Sequence, residues 1–316
     1  MPEPVHTSPI PFSERLLGAV LYAPIRMSQA LPYRWRIPVA GWLTSRVLAP
    51  VAGYHRRVRE NLRLVCPGLS EAEMTRIARG VADNFGRGMA ELYSPEFPER
   101  AARATATGPG LETIRAARAA GRPVVIVSGH FGNVNAARVK LRSLGIDNAG
   151  FYKALRNRPF NARYAEAMRR ISEPLFERNR AGVAQMLRTL KQGGAQSMLN
   201  DLNAHDGLPL EFFGQPALTS LSAAEMALRY DAPMMPIWGI RAENGLDFEI
   251  VFEEEIPPSD PLTMTREYNA RLEAQVRAHM DQWFWIHRRW KDGANWVGEM
   301  RGKELAELEE RLAGEG

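Results

Sequence analysis

Apolar residues recur along most of this chain at helical spacing, and a few short apolar runs between those stretches read as strands. Phe12, Leu16 and Val20 fall four apart and give one greasy face to a short helix. Residues 12–60 read as helices broken by prolines 24, 32, 38 and 50. Ser70, with Glu73 three residues on, has the form of a capping box and predicts a helix to about Tyr93, closed by Pro95 and Pro98. Leu111 to Ala120 is helical, with Gly121 as its stop.

Pro123-Val-Val-Ile-Val127 is apolar throughout and rich in β-branched residues, which predicts a buried, parallel strand. Helix and strand signals then alternate. Helices are predicted over 134–144, 159–171, 181–191 and 218–230, and strands over 149–153 and 195–200. Residues 234–241 and 247–252 read as a hairpin turned at Glu243-Asn-Gly245. A proline-rich loop at 257–261 precedes a long helix from Thr265 to Arg289. Leu305, Leu308 and Leu312 mark a final amphipathic helix. The pattern predicts an α/β fold: a mixed, largely parallel central sheet flanked by helices, with an N-terminal helical arm. The organisation expected is an arm over 1–60, a main domain over 61–300 and a C-terminal amphipathic tail over 301–316.

With 316 residues the chain can bury a substantial core. A single cysteine, Cys66, excludes a disulfide scaffold and a cysteine-cluster metal site. The net charge of +5 sits in residues 1–60, which hold eight arginines against three glutamates. A basic segment beside apolar residues suits an anionic membrane surface; a solvated helix face is the plainer reading. The start of the chain, Met1 to Pro11, lacks the basic n-region of a secretory signal, and no cleavage site follows. The longest early apolar run, Leu16 to Ile25, falls well short of the roughly 20 residues that cross a bilayer. The arm is therefore expected to lie on a membrane or insert shallowly, or else to cap the core.

The six histidines (6, 55, 130, 205, 279, 287) form no helical metal-ligand pair, and no phosphate loop or nucleophile elbow is present, so no cofactor is expected. His130 stands apart. It directly follows the buried strand, in Ser128-Gly-His-Phe-Gly-Asn133, where open α/β folds place their sites. Gly129 and Gly132 allow close backbone approach, and the following helix N-terminus favours developing negative charge. A histidine there suits a general base, or simply a hydrogen-bonded turn.

This segment resembles the signature of the lipid A biosynthesis late acyltransferases, within the lysophospholipid acyltransferase superfamily, whose motif is a histidine, four residues, then Asp or Glu. Asn61-Leu-Arg-Leu-Val65 with Pro67, Phe151-Tyr-Lys with Asn157, Asn200-Asp201, Phe212-Phe-Gly-Gln-Pro-Ala217 with Thr219, and Gln282-Trp-Phe-Trp-Ile-His-Arg-Arg-Trp-Lys291 are similar to its further blocks, in order. The resemblance spans about residues 13–292. It implies a glycerolipid acyltransferase-like fold and transfer of a fatty acyl chain from acyl carrier protein to a lipid hydroxyl. It also implies a place on the cytoplasmic face of an inner membrane, peripheral or shallowly inserted. His130 would be the base, with Asn135 and Asp201 as the other catalytic candidates, and Gly132, Asn133, Lys153 and Arg156 would contact substrate.

One departure matters: the fifth residue after His130 is Asn135, not an acid, and Val134 replaces the usual Trp. An amide can orient the ring but cannot stabilise an imidazolium by charge. Three outcomes follow. Another carboxylate replaces the missing one, Asp201 first and Asp206 second; the acceptor is an aminolipid or another membrane lipid; or catalysis is lost and lipid binding kept. The tryptophans at 283, 285, 290 and 296, interleaved with cations, suit an aromatic belt or nucleic-acid stacking. A C-terminal helix packed on the core is the preferred reading, with Trp283 and Phe284 inward, and no nucleic-acid partner is expected. The exposed cations would meet an acidic carrier protein. Phe212-Phe213 would line an acyl pocket or end a buried strand.

Overall fold

Every residue of Val124–Ser128 is buried in the computed structural model, which describes residues 9–293 and 295–314 apart from the Trp296 side chain. His6 and the rest of the first eight residues, read above for a secretory signal, lie outside that range, as do the last two residues of the expected tail. The strands are β1 (Thr105–Thr107), β2 (Val124–Ser128), β3 (Asn148–Tyr152), β4 (Leu175–Glu177), β5 (Ala195–Leu199), β6 (Leu208–Phe212), β7 (Gln215–Thr219), β8 (Met234–Arg241) and β9 (Phe248–Phe252). Seven form one sheet in the order β1-β9-β8-β2-β5-β3-β4, and β6 and β7 pair as a separate hairpin. From β8 through β4 the strands run parallel; β9 turns antiparallel to β8, and β1 follows β9. The fold is α/β with a mixed, largely parallel sheet, as the alternation of signals predicts.

The helices before β1 are α1 (Phe12–Ser28), α2 (Tyr33–Leu43), α3 (Ala49–Val51), α4 (Tyr54–Val65), α5 (Glu71–Leu92) and α6 (Phe97–Ala102), with a π-helical turn at Thr44–Leu48. Those after it are α7 (Gly110–Ala119), α8 (Val134–Ser143), α9 (Arg158–Ile171), α10 (Arg180–Lys191), α11 (Ser222–Arg229), α12 (Pro261–Ala278) and α13 (Trp296–Gly314). The capping box at the start of α5 forms as predicted. Strand alternation divides the core: Val124 and Ile126 face α6, α8 and α9, while Val125 and Val127 face α11, α12 and the aromatic C-terminal segment. Leu305, Leu308 and Leu312 of α13 pack on Leu208, Leu210 and Leu262.

Four features differ from expectation. Pro24 and Pro38 lie inside α1 and α2 rather than between helices. The carbonyls that lose a helical partner to them belong to Val20 and Arg34, both exposed residues open to solvent. The long helix ends at Ala278, not Arg289. Trp283, Trp285, Arg289 and Trp290 are all buried and donate to Asp201, Met280 O, Leu218 O with Thr219 Oγ1, and Phe212 O respectively, and these separate anchors hold the chain in short irregular turns. The hairpin β6–β7 takes residues 218 and 219 out of the predicted helix. Its turn needs positive φ at Phe213 (55°) and Gly214 (69°), and a phenylalanine gives no such turn signal. The three-residue strands β1 and β4 are too short to register as patterns.

The arm packs α2 on α5 and α1 on α9, yet carries an unpartnered apolar surface. Phe12, Met27, Trp35, Trp42, Leu48 and Val51 are exposed, Val51 at 88%. Among the described residues no helix is long and apolar enough to cross a membrane.

Candidate active site

Parallel register brings the site together. Ser128 at the end of β2 pairs with Leu199 at the end of β5, so residues two steps beyond each strand meet: His130 and Asp201. Asp201 Oδ1 accepts from His130 Nδ1 at 2.8 Å, and Asp201 Oδ2 accepts from the His130 backbone N–H at 2.7 Å. A third donor, the Trp283 indole N–H, reaches Oδ2 at 2.9 Å. The Asp201 side chain is fully buried, whereas 35% of the His130 side chain is exposed, which leaves a ring edge open to a reactant.

Three donors, with no competing anion among the described residues, define the charge state of the pair. Burial pushes the Asp201 carboxyl up, but the His130 charge, its two bonds and the Trp283 N–H outweigh that and hold it below the usual carboxylate range. Burial works against the imidazolium of His130, and the charge and hydrogen bond of Asp201 overcome it, so the ring stands above its usual value. An ionised carboxylate only accepts, so Nδ1 carries a proton in either charge state, and in the neutral ring Nε2 holds the lone pair. The Phe284 ring lies 5.8 Å from the imidazole, centroid to centroid, and walls one side.

The turn that carries His130 is held from below. The Ser128 carbonyl accepts from the Tyr268 hydroxyl (2.7 Å) and the Asn200 N–H (3.1 Å). A Cβ on Gly129 would sit 3.0 Å from Leu272 Cδ1 and 3.1 Å from Asp201 Oδ2, so a larger residue would press on the carboxylate. Gly132 (φ 54°) lies against the Gly239 carbonyl with no room for a Cβ, and its N–H donates to Gln282 O at 2.8 Å. The Asn133 carboxamide caps α8 through the N–H groups of Asn135 and Ala136 and donates to Glu91 Oε2 at 2.6 Å. Glu91, fully buried, forms a two-pronged pair with Arg241 at 2.5 and 2.7 Å. Arg241 Nε donates to Asn84 Oδ1, and Asn84 Nδ2 donates to Gly132 O.

The predicted residues therefore separate. His130 and Asp201 meet. Gly132 and Asn133 are tied to the backbone and to Glu91 beneath the turn. Asn135 sits in the first turn of α8, and among the described residues no hydrogen bond joins it to His130. Lys153 and Arg156 are exposed in the loop after β3, two strands from β2 on the same edge of the sheet, with no hydrogen bond to the His130 turn among the described residues. Asp206 is exposed. Phe212 and Phe213 are buried against Trp283, Trp285 and Trp290 at the end of the hairpin.

Trp283 has a part that reading it as core packing missed, and Glu91 and Arg241 support the turn without having been singled out in the sequence. The signal for Trp283 was its place in the similar C-terminal block; nothing in the sequence marks the pairing of Glu91 with Arg241. The expected cations of that block divide as well. Arg288 and Lys291 are exposed, while Arg289 is buried and donates to Leu218 O and Thr219 Oγ1 at the end of β7 and, at 3.4 Å, to Leu202 O just after Asp201. Burial drives His287 down to about 4, against a smaller upward pull from Asp201, so its ring is neutral and Nε2 accepts from the Asn203 N–H at 2.9 Å. Among the described residues no cluster of His, Cys, Asp and Glu suits a metal ion.

The family model for the bacterial lipid A biosynthesis acyltransferases matches residues 15–292, which takes in both halves of the His130–Asp201 pair and all the elements beneath it. The chain belongs to the bacterial lipid A biosynthesis acyltransferase family. Comparison with curated proteins returns no match. Within this acyltransferase family the expected acid after the histidine is absent here, and the buried carboxylate on the imidazole comes from the end of β5.

Proposed function

We propose that this acyltransferase moves a fatty acyl chain from an acyl thioester on acyl carrier protein to a hydroxyl of a lipid A precursor, with His130 as general base and Asp201 as its carboxylate partner. The observation that carries this reading is the buried Asp201 carboxylate on His130 Nδ1 at 2.8 Å. His130 Nε2 takes the hydroxyl proton as the oxygen attacks the thioester carbonyl. Asp201 stabilises the imidazolium that forms. The tetrahedral intermediate collapses, the C–S bond breaks, and the imidazolium returns its proton to the departing sulfur. Asn135 is not needed as the ring's partner, because Asp201 takes that place. This supports a working transferase over an impaired lipid-binding relative.

The rest of the molecule suits the same reading. Lys153 and Arg156, exposed on the same sheet edge, would attract an anionic donor or acceptor. The arm would lie on the cytoplasmic face of the inner membrane. Its exposed apolar side chains stand among exposed Arg15, Arg26, Arg34, Arg46 and Arg56, a pairing that favours an anionic lipid surface.

The test compares cells lacking the gene with cells carrying wild type or His130→Ala, by mass spectrometry of lipid A and total polar lipids. Loss of one acyl chain from lipid A in both the deletion and His130→Ala is expected. Loss from an aminolipid or phospholipid instead would move the acceptor. No lipid change, with the purified protein still binding carrier protein or lipid, would leave the impaired relative as the reading.

A further inference from the structure

A cleft of about 70 Å³ lies between α8 and the sheet, on the side of the His130 turn away from Trp283. Ser128, Leu199 and Asn135 line its upper part at the strand ends; Arg138, Leu141 and Met168 line the rest with other apolar side chains. A water needs about 10–15 Å³ of such space, so there is room for roughly five water-sized groups.

Two polar groups in this cleft lack the partners that buried groups ordinarily find. Arg138 is only 5% exposed, yet no carboxylate pairs with it among the described residues. Its hydrogen bonds go to neutral oxygens, Asn148 Oδ1, Asn148 O and Ser172 O, at 3.3 to 3.4 Å, longer than a charged donor normally makes. Burial lowers its guanidinium to about 10, partly offset by Tyr164, and it remains a cation at neutral pH. The Ser128 hydroxyl is buried with no hydrogen-bond partner among the described residues. Asn135 lines the same cleft, one helical turn before Arg138 on α8. An acid at that position would face the guanidinium; the amide leaves the positive charge uncompensated.

We propose that this cleft takes the acidic group of an amphiphilic ligand, a carboxylate or a phosphate on an apolar stem, with Arg138 as its counter-ion. The identification of that ligand with a substrate rests on the acyltransferase reading, since the cleft adjoins the His130 turn. Asn135 then selects for the ligand's charge: the protein withholds a carboxylate so that the ligand supplies one.

The experiment measures binding of octanoate, octyl phosphate and octanol to the full-length protein by calorimetry, below their aggregation concentrations. Wild type is expected to bind at least one anion about tenfold or more tightly than octanol. Preference for octanoate alone assigns a carboxylate, and preference for octyl phosphate alone assigns a phosphate. Arg138→Met is expected to bring the ratio near one, and so is Asn135→Asp, which offers Arg138 a carboxylate from within. A wild-type ratio near one, or an undiminished preference in Asn135→Asp, overturns the proposal even if Arg138→Met fails to fold. His130→Ala separates the two readings: it is expected to lose transfer and keep the anion preference. Transfer that survives His130→Ala defeats the base assignment alone; an anion preference absent from an active wild type defeats the cleft alone.

Discussion

Two buried arginines flank the His130 turn, and the protein treats them in opposite ways. Arg241 is closed off: Glu91 meets it with both oxygens, Asn84 takes its Nε, and Asn133 shares the same carboxylate. Arg138 meets neutral oxygens only, at long distances, beside a cleft. A buried charge closed on a partner builds a stiff support. A buried charge left open favours an added anion. The His130–Asp201 pair combines the two: its carboxylate is sealed by three donors while the imidazole keeps one edge exposed.

Breaking the catalytic pair should have the largest effect. His130→Ala should lower acyl transfer by about 10²–10⁴, the range of a general base, and should also lower the unfolding temperature while leaving the protein folded at assay temperature, because buried Asp201 loses its charge partner; a folded, purified variant with wild-type turnover would remove His130 from the reaction. Asp201→Asn should also cost about 10²–10⁴ and report its cause through pH. The base works when neutral, so activity should rise with pH through a His130 value above its usual 6.5. Without the Asp201 charge the imidazolium loses support, and the acid limb of the rate profile should move to lower pH. A limb that stays in place would mean that Asp201 does not set the proton affinity of the ring.

The supporting pair should fail as structure. Glu91→Ala leaves Arg241 buried without its counter-ion and should cost about 3–5 kcal/mol in a urea titration. A cost under about 1 kcal/mol would show that the paired arginine is not the support described. Trp283→Phe removes one of three donors to Asp201 and should cost about 1–3 kcal/mol, a change the same titration resolves. The smallest effect is expected at the arm. Glutamate at Trp42 or Val51 should weaken binding to anionic vesicles about tenfold each, because each replaces an apolar contact by a repelled charge. Unchanged vesicle binding would assign the apolar surface to another partner.

Much of the frame was legible along the chain. β2 announced itself as a buried parallel strand because four β-branched apolar residues in a row, Val124 to Val127, satisfy both faces of a sheet. Ser70 and Glu73 announced the start of α5 because a capping box is local. His130 could be picked out because a strand end followed by a helix start is also local. The misreadings share a cause. The segment from Trp283 to Trp290 looked helical by composition, but its side chains are claimed by the hairpin, by Asp201 and by the core, from several directions. The β6–β7 turn hid behind a phenylalanine at positive φ, whose ring is held by Trp285, Trp290 and Arg277.

The sequence by itself determined the alternation of helices and strands, the basic apolar arm, the family blocks and the histidine at the strand end, because each is written in neighbouring residues. Only the tertiary structure decided which carboxylate serves that histidine. Asn135, five residues away, was the expected place, yet α8 sends it toward the Arg138 cleft. Asp201, 71 residues away, reaches the ring because β2 and β5 lie side by side in parallel register, and register between strands is a property of the folded sheet that local sequence does not carry.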